Sequence, residues 1–336
     1  MIKHVHRDLL CCEAIVRRMP NGELLLVCQC GDITEPAPNN RVYFWHSNDD
    51  GNTWGKKTSI VPEDGRAVYM TEVSVIGNEI RCYLTYHNGG FIDYENVVVS
   101  STDNGHTWTS IGNIPSIEGF TFIRGLYTLE DGTELLPYQN YEVSREEEKM
   151  LLSSDKPKKI WDSKVEYVKN GVLISKDNGK TYTKSNSCDF PLHINNVLRW
   201  VWSEPTIVEL SDGTISMLLR VDGEGYLYKS DSKDKGMNWS TPYKTDIPNP
   251  NNKPKLLKYK NKIALINTPN PTISFSSRNP LEIWISDDDM KTWQYKKTLI
   301  DFPGWISYPD GFIENNTLYL SFEFNRHDIY FIKVDL

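Results

Sequence analysis

Short apolar runs broken by polar turns recur along the whole chain. The clearest case is the run from Thr206 to Leu210, the turn Ser211-Asp212-Gly213, and the run from Thr214 to Leu219. β-Rich arms on either side of an Asp-Gly pair predict a hairpin. Glu204 stands at the start of one arm and Arg220 at the end of the other. Folding the hairpin therefore predicts that they face one another at one edge of the sheet. Variants of the unit place turns at Asn21-Gly22, Gly77-Asn78, Asp131-Gly132, Asp212-Gly213, Lys260-Asn261 and Asn315-Asn316.

A second, polar pattern alternates with the hairpins: Ser-x-Asp-x-Gly-x-Thr-Trp. Ser47 to Trp54 and Ser101 to Trp108 match it fully. Ser175 to Tyr182 ends in Tyr, Ser232 to Trp239 has Asn for Thr, and Ser286 to Trp293 has Met290 for Gly. In this box the Asp can accept turn amides, Gly permits a positive φ, and Trp packs between sheets. The boxes thus read as structural turns, and their acids as non-catalytic. One hairpin plus one box makes a four-stranded antiparallel unit of roughly 55 residues, close to a propeller blade.

The last unit stops after about three strands, and the segment from Ile2 to Leu9 can supply the fourth, removing exposed edges. The expected fold is all-β: a six-bladed β-propeller of four-stranded antiparallel blades, residues 1–336 forming one domain. Blade 3 carries an insertion at about 140–169. Its run Ser144-Arg145-Glu146-Glu147-Glu148-Lys149 reads as a solvated loop.

Composition narrows the partners. A net charge of −8 disfavours nucleic acid and anionic membranes. No apolar stretch is long enough for a transmembrane helix, and the N-terminal residues lack a secretory apolar region, so the expected location is cytoplasmic. Six cysteines then read as free thiols. No zinc-type ligand spacing appears, so no metal or cofactor is expected.

In a propeller the first strand of each blade lines the central channel, so the residues opening these strands converge at one mouth. Counting back from the turns gives Cys12-Glu13, Glu72, Arg124, Glu204, the stretch from Lys253 to Lys255, and Tyr308. Second strands return there near Gln29, His87, Gln139, Arg220, Asn267 and Arg326; third strands leave near Arg41, Tyr94 and Arg278. Carboxylates, guanidiniums and a tyrosine gathered at a concave mouth suit an anionic or polyhydroxylated ligand.

The boxes and six blades resemble the sialidase superfamily across nearly the whole chain. Glu204 to Gly213 followed by Arg220 is similar to the family segment that holds the partner of the nucleophile and a substrate-binding arginine. Arg278, ahead of the Ser286 box, sits where the family places another arginine of its carboxylate-binding triad. Ser307-Tyr308 is similar to the segment carrying the tyrosine nucleophile. The first-blade arginine of the family is missing: Cys11-Cys12-Glu13-Ala14 occupies its place. Arg17 and Arg18 lie too far along the strand to replace it simply, and Arg124, also a strand-opening residue, is a candidate substitute from another blade. Asp246 to Lys253, Ser307 to Asp310, and Asn325 to Ile329 resemble a less characterised, sialidase-like branch.

The resemblance implies a retaining exo-glycosidase acting on sialic acid or a related acidic sugar, with a glycoconjugate as substrate. Tyr308 would be the nucleophile, and Glu204 would accept its proton. Glu35 or Asp32, in the loop after the first hairpin, would be the acid/base. Arg220 and Arg278 would hold the carboxylate. Arg124, Glu13, Glu72, His87 and Arg326 are further candidate contacts read from the repeat. Two alternatives stand beside this: the same fold acting on a neutral sugar or a uronate, and a non-catalytic glycan-binding propeller.

Overall fold

A computed structural model describes residues 1–114, 117, 119–194, 197–198 and 200–336. The protein is an all-β, six-bladed β-propeller. Blade 1 comprises Cys11–Arg18, Leu24–Cys30, Arg41–Ser47 and Thr58–Ser59. Blade 2 comprises Ala67–Ile76, Glu79–His87, Glu95–Ser101 and Thr109–Asn113. Blade 3 is built on Phe120–Ile123, Glu134–Tyr141, Tyr167–Ser175 and Thr183–Lys184. Blade 4 is built on Thr206–Glu209, Ile215–Leu219, Tyr226–Ser232 and Tyr243–Pro248. Blade 5 runs Lys255–Tyr259, Lys262–Asn267, Leu281–Ser286 and Tyr295–Ile300. Blade 6 runs Ile306–Glu314, Thr317–Phe324 and Asp328–Asp335, and Ile2–Arg7 completes it by pairing with Asp328–Asp335. Each of the six predicted turn pairs lies between the first two long strands of its blade.

The chain divides into two compact units. One holds Met1–Phe120, Val143–Lys164 and Ser307–Leu336; the other holds Thr121–Glu142 and Val165–Ile306. In the first, Leu25, Val27, Met70, Val73 and Leu84 close a core between blades 1 and 2, with Trp108 of the second box packed against it. In the second, Val208, Leu218, Leu256, Leu265 and Trp284 do the same for blades 4 and 5, with Trp293 against them. Strands covered on both faces need no alternation, so Leu24–Cys30 is buried throughout.

All five boxes adopt one hydrogen-bonded turn. In the first, Ser47 Oγ accepts the Gly51 amide at 2.8 Å, and Asp49 accepts the Thr53 amide at 2.8 Å and its hydroxyl at 2.6 Å. Ser101, Ser175, Ser232 and Ser286 repeat the serine bond. Gly51 has φ +87, and a Cβ there would lie 2.1 Å from the Phe331 ring, so the box can press blade 1 against blade 6 only without a side chain.

The insertion departs from expectation. Residues Arg145–Leu152 form an α-helix rather than a loop. Ser144 caps it, its hydroxyl accepting the Glu147 amide at 3.2 Å, and acidic residues fill the first turn. The Ser-x-x-Glu signal was present beneath the charge run. Beyond the helix, the Ile160 amide donates to Gly90 O at 2.9 Å, which docks the insertion on blade 2. Among the described residues no helix is long and apolar enough to cross a membrane.

Candidate functional site

Three of the residues that open first strands share an unusual backbone. Glu13, Glu204 and Tyr308 have φ of 56, 39 and 50, in the left-handed region that non-glycine residues seldom occupy. A register shift accompanies the change in blade 1, between Cys12 and Ile15, and blade 2 has a register shift of its own between Met70 and Glu72. Such irregularities re-aim side chains at a sheet edge, and strained backbone clusters at functional sites.

In the second unit, Glu204 is buried two residues ahead of its ladder, and Gln139 Oε1 accepts its amide at 2.7 Å. Its carboxylate meets Arg220 at 2.9 Å and Arg124 at 3.8 Å. The predicted pair therefore faces one another, and Arg124 joins it. Asp222 holds the far side of Arg220, accepting from Nε at 2.7 Å, and takes the Trp202 amide on its other oxygen at 2.6 Å. Burial raises the Asp222 carboxyl above its ordinary value, with Arg220 opposing. An aromatic wall of Tyr141 stacked on Trp200, with Trp202 and Phe122 edge-on to Tyr141, backs this ion network. A low-dielectric surround strengthens each charged contact.

Arg278 is buried in the same unit, and its Nη2 donates to Asn251 O at 2.5 Å. Asn251 belongs to a turn knitted by its own amides: Asn249 Nδ2 donates to Asn252 O and to Asn267 Oδ1, each at 2.8 Å. The Asn-rich segment singled out in the sequence thus builds the support for an arginine.

In the first unit, Glu35 is held at both oxygens. Gln29 Nε2 donates to one at 3.1 Å and Arg326 pairs with the other. The Arg326 Nη2 also donates to Cys12 Sγ at 2.6 Å. Burial opposes the Arg326 charge, yet Cys12, Glu35, Glu323 and Tyr308 hold its pKa well above the ordinary value. Tyr308 is half-buried within Ile306–Glu314. Glu13 is buried and accepts the Tyr69 hydroxyl at 2.6 Å.

Asp32 is not brought into this group by any described hydrogen bond. It closes its own loop instead, accepting the Ile33 amide at 2.8 Å and Asn39 Nδ2 at 3.3 Å. Glu72 binds Arg17 at 2.6 Å, and Arg17 also binds Asp310 at 2.6 Å. His87 is fully buried, and its Nδ1 accepts the Gly89 and Phe91 amides at 3.0 and 3.3 Å. Burial, with Arg66 and Arg41 adding to it, lowers its pKa to about 3, so the ring is neutral at pH 7.

Sequence reasoning placed Gln29 and Gln139 at strand ends without giving them partners, and it missed Asp222 and Tyr141. Asp222 had a signal: two residues beyond Arg220, an extended chain returns to the same side. Tyr141 had none, because its Val201 partner, 2.6 Å from its hydroxyl, is remote in sequence.

Comparison with known proteins agrees with this fold. Residues 73–320 match the BNR repeat-like domain. A sialidase from Paraclostridium sordellii is 28% identical over 222 residues, 57% of this chain and 48% of that protein, so the matched stretch spans about half its length. The Hadza microbial sialidase Hz136 superposes with a TM-score of 0.75 at 16% identity, over 98% of this chain and 66% of that one. A protein of unknown function from Dyadobacter fermentans gives 0.74 at 16% identity, over 100% and 98%. Trypanosoma rangeli sialidase, solved with 2,3-difluorosialic acid as a covalent intermediate, gives 0.67 at 14% identity, over 96% and 54%. The chain belongs to the BNR repeat-like domain family.

Proposed function

We propose that this protein, read as one propeller domain, is a retaining exo-glycoside hydrolase of the sialidase type, acting on sialic acid or a related acidic sugar. The observation that carries the reading is the buried cluster of Glu204, Arg220 and Arg124, built where the repeat turns its strand-opening residues. The matched sialidase and the sialidase folds among its structural relatives support the same class.

A carboxylated sugar repels a carboxylate nucleophile, so a phenol activated by a base suits it better. Tyr308 attacks the anomeric carbon while Glu204 accepts the phenolic proton, and the bond to the leaving oxygen breaks. Glu35 protonates that oxygen, then removes a proton from the water that cleaves the glycosyl-tyrosine bond. The pairing of Glu35 with Arg326 and Gln29 fixes its carboxyl; Asp32, engaged by its own loop, is the weaker candidate. Arg220 and Arg278 grip the substrate carboxylate through planar guanidinium forks.

The missing first-blade arginine has a structural counterpart in this reading. Arg326 reaches across from blade 6 to Cys12, the strand-opening residue at the place where the family carries an arginine. It supplies the guanidinium that blade 1 lacks.

The test is fluorophore release from a glycoside panel, with sialosides, uronides and neutral glycosides side by side. Turnover of acidic glycosides that Arg220→Ala weakens far more than it weakens any neutral one supports the reading. Turnover of neutral sugars alone overturns the acidic substrate. No turnover together with measurable glycan binding overturns the enzyme.

A further inference from the structure

Three side chains unused by the proposed reaction bring their ligand atoms close together at the box-bearing end of blades 1 and 2. Glu23 follows the Asn21-Gly22 turn, His46 immediately precedes Ser47, and His106 lies inside the second box. Glu23 Oε2 lies 3.6 Å from His46 Nδ1 and 3.7 Å from His106 Nε2. All three ligand atoms fall within 4.8 Å of one another. These separations are too long for hydrogen bonds. They approach the spacing of two donors on a tetrahedral ion bound at about 2.0–2.1 Å.

The environment favours an ion over a hydrogen-bonded cluster. Glu23 Oε2 and His46 Nδ1 are shielded from solvent, and neither has a hydrogen-bond partner among the described residues. Burying such atoms unsatisfied is costly, and a shared cation removes that cost. The other ring nitrogen of His46, Nε2, sits 3.4 Å from Gly105 O. A proton held there leaves a lone pair on Nδ1, 3.6 Å from Glu23 Oε2, and metal-bound histidines use the same carbonyl support. The imidazoles stack with centroids 4.4 Å apart and planes 14° from parallel, so the exposed His106 ring must turn out of this stack for both lone pairs to meet one ion. The His106 amide is tied to Asp103 at 3.1 Å, so the box itself sets the position of the third ligand.

Two imidazoles and one carboxylate match the donor set of zinc and its transition-metal neighbours, whereas calcium and magnesium prefer oxygen alone. We propose that Glu23, His46 and His106 form a site for one zinc-class divalent cation, with a solvent molecule completing the tetrahedron, and that the ion clips blade 1 to the second box. The ligands come from three separate turns and strand ends, which is why no compact spacing announced them.

The test is calorimetric titration of zinc chloride into the full chain, free of any histidine tag and stripped with a chelator, at pH 7.5. The expected result is one equivalent bound at micromolar affinity or tighter, with a higher melting temperature. His106→Ala, at an exposed position, weakens binding about 100-fold or more. Glu23→Gln weakens it too, and excess magnesium does not compete. Absence of zinc binding by the wild type overturns the site. So does binding that survives both substitutions unchanged.

Discussion

The two ends of each blade use carboxylates in opposite ways. At the box end, Asp49, Asp103, Asp177, Asp234 and Asp288 all accept the amide and side chain of the residue four positions on. The bonds are local, and one solution is stamped five times. At the other end, Glu204, Glu35 and Glu72 pair with Arg220, Arg326 and Arg17, and no two of these three pairings are built alike. Repetition marks what the fold uses in five of its six blades. Divergence among the strand-opening residues sets the proposed site apart from the repeat.

If that contrast is sound, breaking a buried ion network between first strands costs far more than breaking a box. The largest effect on stability is expected at Arg17, which binds both Glu72 and Asp310 in a buried position. Arg17→Ala removes the guanidinium that two buried carboxylates share and should lose about 3–5 kcal/mol in chemical denaturation. A loss below ~1 kcal/mol would place that network with ordinary surface pairs.

An intermediate effect is expected at His87. Its pKa falls from 6.5 in the unfolded chain to about 3 in the fold. Below pH 6.5 the unfolded chain gains a proton that the folded chain refuses, so stability declines as pH drops towards 3, by at most about 1.4 kcal/mol per pH unit. His87→Asn keeps an acceptor for the Gly89 and Phe91 amides but cannot titrate. Urea denaturation from pH 7 to pH 4 should show a shallower decline in the variant; parallel curves would contradict the assignment.

The smallest effect is expected in a single box. Thr181, through its side chain and amide, lowers the Asp177 carboxyl to about 2. A depressed carboxylate contributes stability above its unfolded value and loses it as pH falls through the folded one, here between about pH 4 and pH 2. Asp177→Asn should flatten only that acid limb. A collapse at neutral pH would show that one box carries more than its local turn.

The same contrast explains what could be read in advance. The boxes and hairpin turns rest on interactions within a few residues, so their spacing exposed the blade count and strand order. Glu204 and Arg220 were legible because one hairpin joins them. Arg326 against Cys12, or Arg17 against Asp310, could not be read that way, because each contact spans most of the chain and depends on how blade 6 lies beside blade 1. Helix Arg145–Leu152 was missed for another reason: charge density suggested a loop, while the cap and acidic first turn specified a helix.

The central claim is that Tyr308 forms a covalent bond to an acidic sugar. Intact-protein mass spectrometry after incubation with 2,3-difluorosialic acid tests it most directly, because fluorine slows breakdown of a glycosyl-tyrosine. The account predicts a single adduct, mapped by peptide digestion to Tyr308 and absent from Tyr308→Phe. Sialoside turnover by an enzyme that never acquires the adduct, or an adduct that persists in Tyr308→Phe, would contradict it.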